Sequence, residues 1–300
     1  MKSDALALAA ALLPLAGPQA QADDLTTQLD CLRESHIGLA SAHRGRLAPE
    51  APENSLSGLQ AAWQAGIRLL EVDVAATREG KLVLLHDDTL DRTTTGAGPV
   101  SEIAFERLKS VSLKDAQGKP VPETVPSLVE ALRWAKKAGA WLQLDVKRKT
   151  RFEDVIAAVQ SEGMTGQVVI ITYSLKDALK VHRLEPQVMI SAPIWSAGDL
   201  TTLQQKGFDL TRLIAFTGTR TPNPALWAAL RREGVEAIFG TLGPEETRLD
   251  EAYLADGNPS EYADLVRQGV TIVATDRPAM AQQALDAALD TCIADTKDKS

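Results

Sequence analysis

The chain has 300 residues, 44% hydrophobic and 24% charged, enough for one large α/β domain or two ordinary ones. Its formal charge is -8 and it has no basic run, which argues against nucleic acid or an anionic membrane surface as the main partner. An anionic ligand must therefore be attracted locally, by the charges of its own site.

Residues 1–22 read as a secretory signal. Lys2 supplies the positive start, Ala5 to Leu15 is an apolar core too short to span a bilayer, and Ala20-Gln21-Ala22 offers a small-x-small cleavage site. The expectation is an exported protein, periplasmic or secreted, with one soluble domain over residues 23–300. No other run is long enough for stable membrane insertion. The two cysteines, Cys31 and Cys292, lie near the ends of that domain and suit a disulfide in an oxidising compartment. The competing reading is a buried thiol, because Cys292 continues the apolar stripe Ala281, Ala284, Leu285, Ala288.

In chain order, strand-like and helix-like runs alternate. Strand Gly38 to Ala42 ends at His43. Asn54 is read as the cap of a helix with Leu56, Leu59 and Trp63 on one face and Gly66 as its stop. Strand Leu69 to Val74 is followed, too soon for a parallel crossover, by an extended run Lys81 to Leu85, which suggests a hairpin return. A polar insertion, residues 87–124, comes next, and so long an irregular segment usually carries function or covers a site. Six further strands then alternate with helices, at Ala140–Lys147, Gln167–Thr172, Val188–Ala192, Thr211–Phe216, Val235–Phe239 and Val270–Thr275. A helix Pro278 to Ala294 closes the chain. Setting the hairpin run aside, eight strand–helix units predict a (β/α)8 TIM barrel. A doubly wound sheet is the alternative, but no Gly-rich fingerprint follows the first strand.

In such a barrel, chemistry gathers where the strands end. Glu71 and Asp73, two apart on a strand, share one face, and two anions side by side are costly to bury without a cation. A hard divalent metal is the natural partner. Asp145 and Lys147 share a face of the next strand in the same way. His43-Arg44 and His86 add acid–base and cationic groups suited to a phosphoryl substrate.

The ordered set His43-Arg44-Gly45, Pro52-Glu53-Asn54, Glu71-x-Asp73, His86-Asp87 with Arg92-Thr93 and Gly96-x-Gly98, Val125-Pro126-Ser127-Leu128, Asp145-x-Lys147 and Thr275-Asp276-Arg277-Pro278 resembles the glycerophosphodiester phosphodiesterase family. The resemblance implies a (β/α)8 barrel, an insertion after the second histidine motif, and metal-dependent hydrolysis of glycerophosphodiesters to an alcohol and glycerol 3-phosphate. It makes Glu71, Asp73 and Asp145 ligands of one divalent cation, Ca2+ or Mg2+. It makes His43 and His86 the acid–base pair, and Arg44 and Lys147 the phosphate-binding groups. The family usually carries glutamate at the position of Asp145, and many members carry tryptophan at that of Phe239. Attack by water and attack by the substrate's own glycerol hydroxyl both remain open.

Glu53 and Asp87 read either as supports of the site or as plain loop residues, and Glu71 with Asp73 could instead pair with Arg68 and Arg78. Trp195 and Phe239 could line a pocket for the alcohol. Asp276 reads as a cap near the last helix, and His36 and His182 as structural or surface groups. Two competing functions stand beside the favoured one. A lysophospholipase D-like or sphingolipid-directed phosphodiesterase would need an apolar groove at the mouth, for which the insertion looks too polar. A periplasmic protein that binds phosphodiesters without cleaving them would have no use for two histidines. The expected partner is thus a small phosphodiester, and oligomeric state is left open.

Overall fold

The computed structural model describes residues 24–285 and 289–293. The expected signal at residues 1–22 lies outside the described residues. The chain runs α1 (Leu25–Ser35), β1 (Leu39–Ala42), α2 (Leu56–Gln64), β2 (Leu69–Ala76), β3 (Leu82–Leu84), α3 (Phe105–Leu108), β4 (Ser112–Lys114), β5 (Pro120–Thr124), α4 (Leu128–Ala138), β6 (Trp141–Val146) and α5 (Phe152–Ser161). It continues through β7 (Val168–Ile171), α6 (Leu175–Leu184), β8 (Met189–Pro193), α7 (Ala197–Gln205), β9 (Leu213–Phe216), α8 (Pro224–Arg232), β10 (Glu236–Gly240), α9 (Leu249–Leu254), α10 (Ser260–Gln268), β11 (Ile272–Thr275), α11 (Pro278–Leu285) and α12 (Leu289–Cys292).

Eight of these strands, β1, β2 and β6 to β11, pair in parallel, and β1 closes the circle by pairing with both β2 and β11. The fold is the expected (β/α)8 barrel, and each of the eight predicted strands is present to within two residues at either end. The Lys81–Leu85 run is the hairpin return: β3 lies antiparallel on β2, with Val74 opposite Leu84. The insertion is less irregular than its polarity suggests. It forms the two-stranded β4–β5 sheet and hides Leu90, Val100, Leu108 and Leu113 in a small core against Val83 and Leu85.

Period-two alternation divides each barrel strand between two environments. Outward residues such as Leu70, Val72, Leu142 and Leu144 pack under the helices in the main core. Inward residues stack in layers, and the lowest layer is apolar, taking Leu39, Leu69, Trp141, Val169, Met189, Ile214, Ile238 and Ile272, one from each parallel strand. The sequence reading had no element for residues 25–35, and they form α1, which plugs the barrel beneath that layer with fully buried Leu25, Leu29 and Leu32. Arg33 of the plug pairs with Glu236 at the start of β10. Cys31 and Cys292 form a disulfide with an S–S distance of 1.97 Å, so the bridge reading holds over the buried thiol, and it ties the plug to α12. The single last helix expected over Pro278–Ala294 is recorded as α11 and α12 on either side of residues outside the description.

The plug adds apolar area that the lowest layer would otherwise expose to water. Leu29→Ala is expected to lower the unfolding free energy by about 3 kcal/mol, read from urea denaturation of the oxidised protein.

Candidate active site

The site begins with a turn. After β1 the chain enters His43-Arg44-Gly45, where Arg44 (φ 56°) and Gly45 (φ 63°) are both left-handed. A Cβ on Gly45 would stand 2.5 Å from Leu59, so glycine is required there by both conformation and space. The turn aims the Arg44 backbone N–H at Glu71 Oε2, 2.7 Å away.

On β2 and β6 the registers are Glu71 opposite Gln143 and Asp73 opposite Asp145. Asp73 and Asp145 are thus direct neighbours across the ladder, and Glu71 lies one layer down on the same inward face. Ligand oxygens from the three carboxylates all fall within 4.8 Å of one another, and the residues are only 8%, 1% and 6% exposed for Glu71, Asp73 and Asp145. Neither Arg68 nor Arg78 forms an ion pair with them among the described residues. Lys147 Nζ reaches Asp73 at 2.5 Å and Asp145 at 2.7 Å. Asn54 donates to Asp73 Oδ2 at 2.6 Å and accepts from the Asp73 N–H at 2.9 Å. Its expected role as helix cap belongs instead to Ser55, whose hydroxyl accepts from the Gly58 N–H.

The electrostatics follow from the count of charges. Burial, together with the like charges of Asp73 and Asp145, pushes the Glu71 carboxyl well above its usual range. Burial works the same way on Asp73, but Lys147, His86 and Asn54 outweigh it and hold that carboxyl low. One ammonium thus faces three carboxylates. Asp145 Oδ1 is buried and has no hydrogen-bond partner. Hard oxygen donors converging with unbalanced negative charge fit a divalent cation of the Mg2+ or Ca2+ type.

The two histidines flank this cluster with matching support. His43 Nδ1 is 2.8 Å from Asp276 Oδ1, which also accepts from Arg46 Nη2 at 2.9 Å. His86 Nδ1 is 2.7 Å from Asp87 Oδ1, and Asp87 accepts from Arg92 at 2.7 and 2.8 Å. Burial raises the Asp276 carboxyl, but hydrogen bonds and charges from His43 and Arg46 prevail and hold it far below its ordinary range. For Asp87 the Arg92 hydrogen bonds dominate and have the same effect. Each aspartate is therefore ionised at neutral pH and fixes the ring it touches. Among the described residues neither Nε2 has a hydrogen-bond partner, so the second nitrogen of each ring is available at the mouth.

Asp276 is thus not a helix cap. Its own backbone N–H is held by buried Asp250 at 2.8 Å. Glu53 takes the supporting position open to it: both oxygens accept from Arg44 (3.0 and 2.8 Å) and from Arg92 (2.9 and 2.8 Å). Burial opposes its ionisation, but the two arginines win and lower its pKa. Asp87 orients its neighbour rather than simply opening the loop.

A cavity of about 310 Å³ opens beside the carboxylates, floored by Ser41, Gln143 and Ser191 and walled by Ile171, Pro193, Phe216, Ile238 and Leu242. Tyr173 and Trp195 stand at its rim, 71% and 61% exposed. Trp195 therefore lines the pocket as expected. Phe239 does not, because it points outward into the core and packs edge-on against Trp227. His36 and His182 lie far from the site, the first beside Arg231 and the second stacked on Phe208.

Strand ends that gather acids, two oriented imidazoles and arginines around a cavity make this a TIM-barrel protein with its polar site at the C-terminal mouth. The particular lineage is equally plain: this chain belongs to the glycerophosphoryl diester phosphodiesterase family, whose sequence model matches residues 43–239. It is similar to the glycerophosphodiester phosphodiesterase of Bacillus subtilis, at 29% identity over 170 residues, 50% of this chain and 57% of that one. The chain spans about three-fifths of the length of the curated relatives of this kind. Among solved structures it resembles a glycerophosphoryl diester phosphodiesterase from Parabacteroides distasonis, with a TM-score of 0.72, 26% identity, and 86% and 92% of the two chains covered. It also shares its fold with an Oleispira antarctica phosphodiesterase in complex with the product sn-glycerol 3-phosphate, with a TM-score of 0.64, 24% identity and coverage of 85% and 99%.

Asp276→Asn should keep the hydrogen-bonding shape while losing the charge that fixes His43, lowering kcat on the order of 10²–10⁴-fold with little change in KM. Steady-state kinetics on a glycerophosphodiester provide the check. Both aspartates have folded pKa values below the unfolded value of about 3.9, so the stability they contribute is complete above that pH and lost as pH falls below it. The acid limb of the stability curve is expected to flatten in the Asp87→Asn/Asp276→Asn double variant.

Proposed function

We propose that this protein hydrolyses glycerophosphodiesters to an alcohol and glycerol 3-phosphate. The observation that carries the reading is the pair of histidines, each held at Nδ1 by an aspartate, close to a buried carboxylate cluster. A phosphodiester is a stable anion that repels an attacking oxygen, so its cleavage needs charge neutralisation and two proton transfers. His43 and His86 supply the transfers: one imidazole accepts the proton of the attacking hydroxyl, and the other donates to the departing alkoxide. Asp276 and Asp87 keep each ring in one tautomer, with Nε2 toward the substrate, and stabilise the imidazolium that forms.

Arg44 and Lys147 bind phosphoryl oxygens. Glu53 holds the Arg44 guanidinium through Nη1 alone, which leaves Nη2 to donate to an oxyanion. Lys147 is a point charge on a flexible stem and can turn from the carboxylates to the phosphate. Glu71, Asp73 and Asp145 are the residues that would hold a divalent cation. Such an ion neutralises charge on the phosphoryl group and makes the attacking hydroxyl more acidic.

The alcohol portion fits the cavity on the β7–β11 side. At about 310 Å³ the cavity is at the small end of ligand pockets, which favours a short soluble head group over a long acyl chain. Its apolar wall comes from the barrel strands and not from the insertion, whose large apolar residues are turned into their own core. A protein that only captures diesters has no need of two imidazoles each locked by an ionised carboxylate.

Export is proposed from the character of residues 1–22, and the Cys31–Cys292 bridge supports an oxidising destination. Mass spectrometry of the protein recovered outside the cytoplasm should find an N-terminus at Asp23; an uncleaved chain retained in the cytoplasm would overturn this. For the reaction, metal-stripped protein is offered a glycerophosphodiester with Ca2+ or Mg2+ restored, and glycerol 3-phosphate is measured. Turnover is expected only with metal, and His43→Ala and His86→Ala should each reduce it at least about 10³-fold without altering thermal unfolding. Substantial turnover in either variant would mean that the proton transfers are wrongly assigned.

A further inference from the structure

Two donors meet on one oxygen of Asp145. Lys147 Nζ at 2.7 Å and the Tyr173 hydroxyl at 2.8 Å both donate to Oδ2, while Oδ1 is buried and accepts nothing. The other two carboxylates of the cluster are held in a comparable way. The Arg44 backbone N–H donates to Glu71 Oε2 and the Asn54 amide to Asp73 Oδ2. Every acid in the cluster therefore has its own neutral donor, and for Asp145 that donor is Tyr173.

Lys147 cannot fill this role throughout the reaction. Its ammonium is shared between Asp73 and Asp145, and the proposed function sends it to the phosphate when substrate arrives. Tyr173 has no such second duty. It follows β7 directly, and the register of Asp145 with Ile171 brings residue 173, on the same inward parity, above the carboxylate. Asp145 is also one methylene shorter than Glu71, with less freedom to find a ligand position unaided. With Oδ2 held by these donors, Oδ1 is the Asp145 oxygen left without a hydrogen bond among the described residues.

Resting on the metal reading above, we propose that Tyr173 is a positioning residue for the cation site: its hydroxyl orients Asp145 so that Oδ1 is presented to the ion. The role is to hold a ligand and not to touch the reacting atoms. Loss of such an outer hydrogen bond weakens metal binding by about tenfold or more.

The test uses the full protein without substrate, titrated calorimetrically with magnesium chloride and, separately, calcium chloride. Tyr173→Phe keeps the ring and removes only the hydroxyl at a rim position, so its thermal unfolding should match the wild type. It should bind either ion about tenfold more weakly. Adding Asp145→Glu in the Tyr173→Phe background should restore affinity, since the longer side chain reaches the ion without being held. Wild-type affinity in Tyr173→Phe would overturn the proposal, as would failure of Asp145→Glu to recover it. If the wild-type protein itself takes up neither ion, it is the metal reading that fails, and the two failures are told apart in the same series.

Discussion

Mutual repulsion among Glu71, Asp73 and Asp145 is the constraint around which the mouth of this barrel is built. Parallel pairing of β2 with β6 places Asp73 beside Asp145, and strand parity adds Glu71 on the same inward face. Three carboxylates so close and so buried would not all remain charged without compensation, and the raised pKa of Glu71 records the imbalance. Lys147, the Arg44 backbone N–H and the Asn54 amide relieve part of it. The remainder is charge that a bound dication would offset. Arg44 and Asn54 come from the β1–α2 connection and Lys147 from the end of β6, so the charge problem also ties these strand ends together.

Around this centre the charged groups form chains rather than isolated pairs. Arg46–Asp276–His43 and Arg92–Asp87–His86 are two relays of the same design. Glu53 joins Arg92 to Arg44 and so connects the second relay to the turn that follows β1. Shared carboxylate acceptors leave these side chains few alternative geometries, which is what the proposed proton transfers would need. The insertion contributes Arg92 to this network, which explains its position over the mouth better than a role as a simple cover.

The lower half of the barrel is apolar and serves the upper half mechanically. One side chain from each parallel strand fills the bottom layer, α1 seals it, and the disulfide holds α1 against the end of the chain. The polar residues Ser41, Gln143 and Ser191 lie above this floor, with Ser41 bonded to Gln143 and Gln143 level with Glu71. Polarity therefore rises along the barrel axis toward the site. A chain with few aromatic residues still places two of them, Tyr173 and Trp195, at the exposed rim of the cavity.

Local pattern in the chain was enough to determine the eight strands, their order and the shared face of Glu71 and Asp73, while Asp145 joined them as a candidate ligand through the family resemblance. Period-two alternation and strand–helix spacing are short-range signals that survive without knowledge of neighbours. The same was true of His43 and His86, which sit at strand ends. What the tertiary structure alone decided is who stands behind them. Asp276 supports His43 across 233 positions because β1 and β11 close the barrel with Ala42 opposite Thr275, a neighbour relation that no local window contains. Closure of the predicted barrel was the one clue that could have paired them. Asn54 looked like a helix cap because asparagine caps helices, and only the approach of Asp73 gave its amide a better partner. Tyr173 on Asp145 and α1 beneath the barrel were invisible for the same reason: hydrogen bonds between strand ends and burial under a closed sheet depend on distances in space, while sequence patterns report distances along the chain.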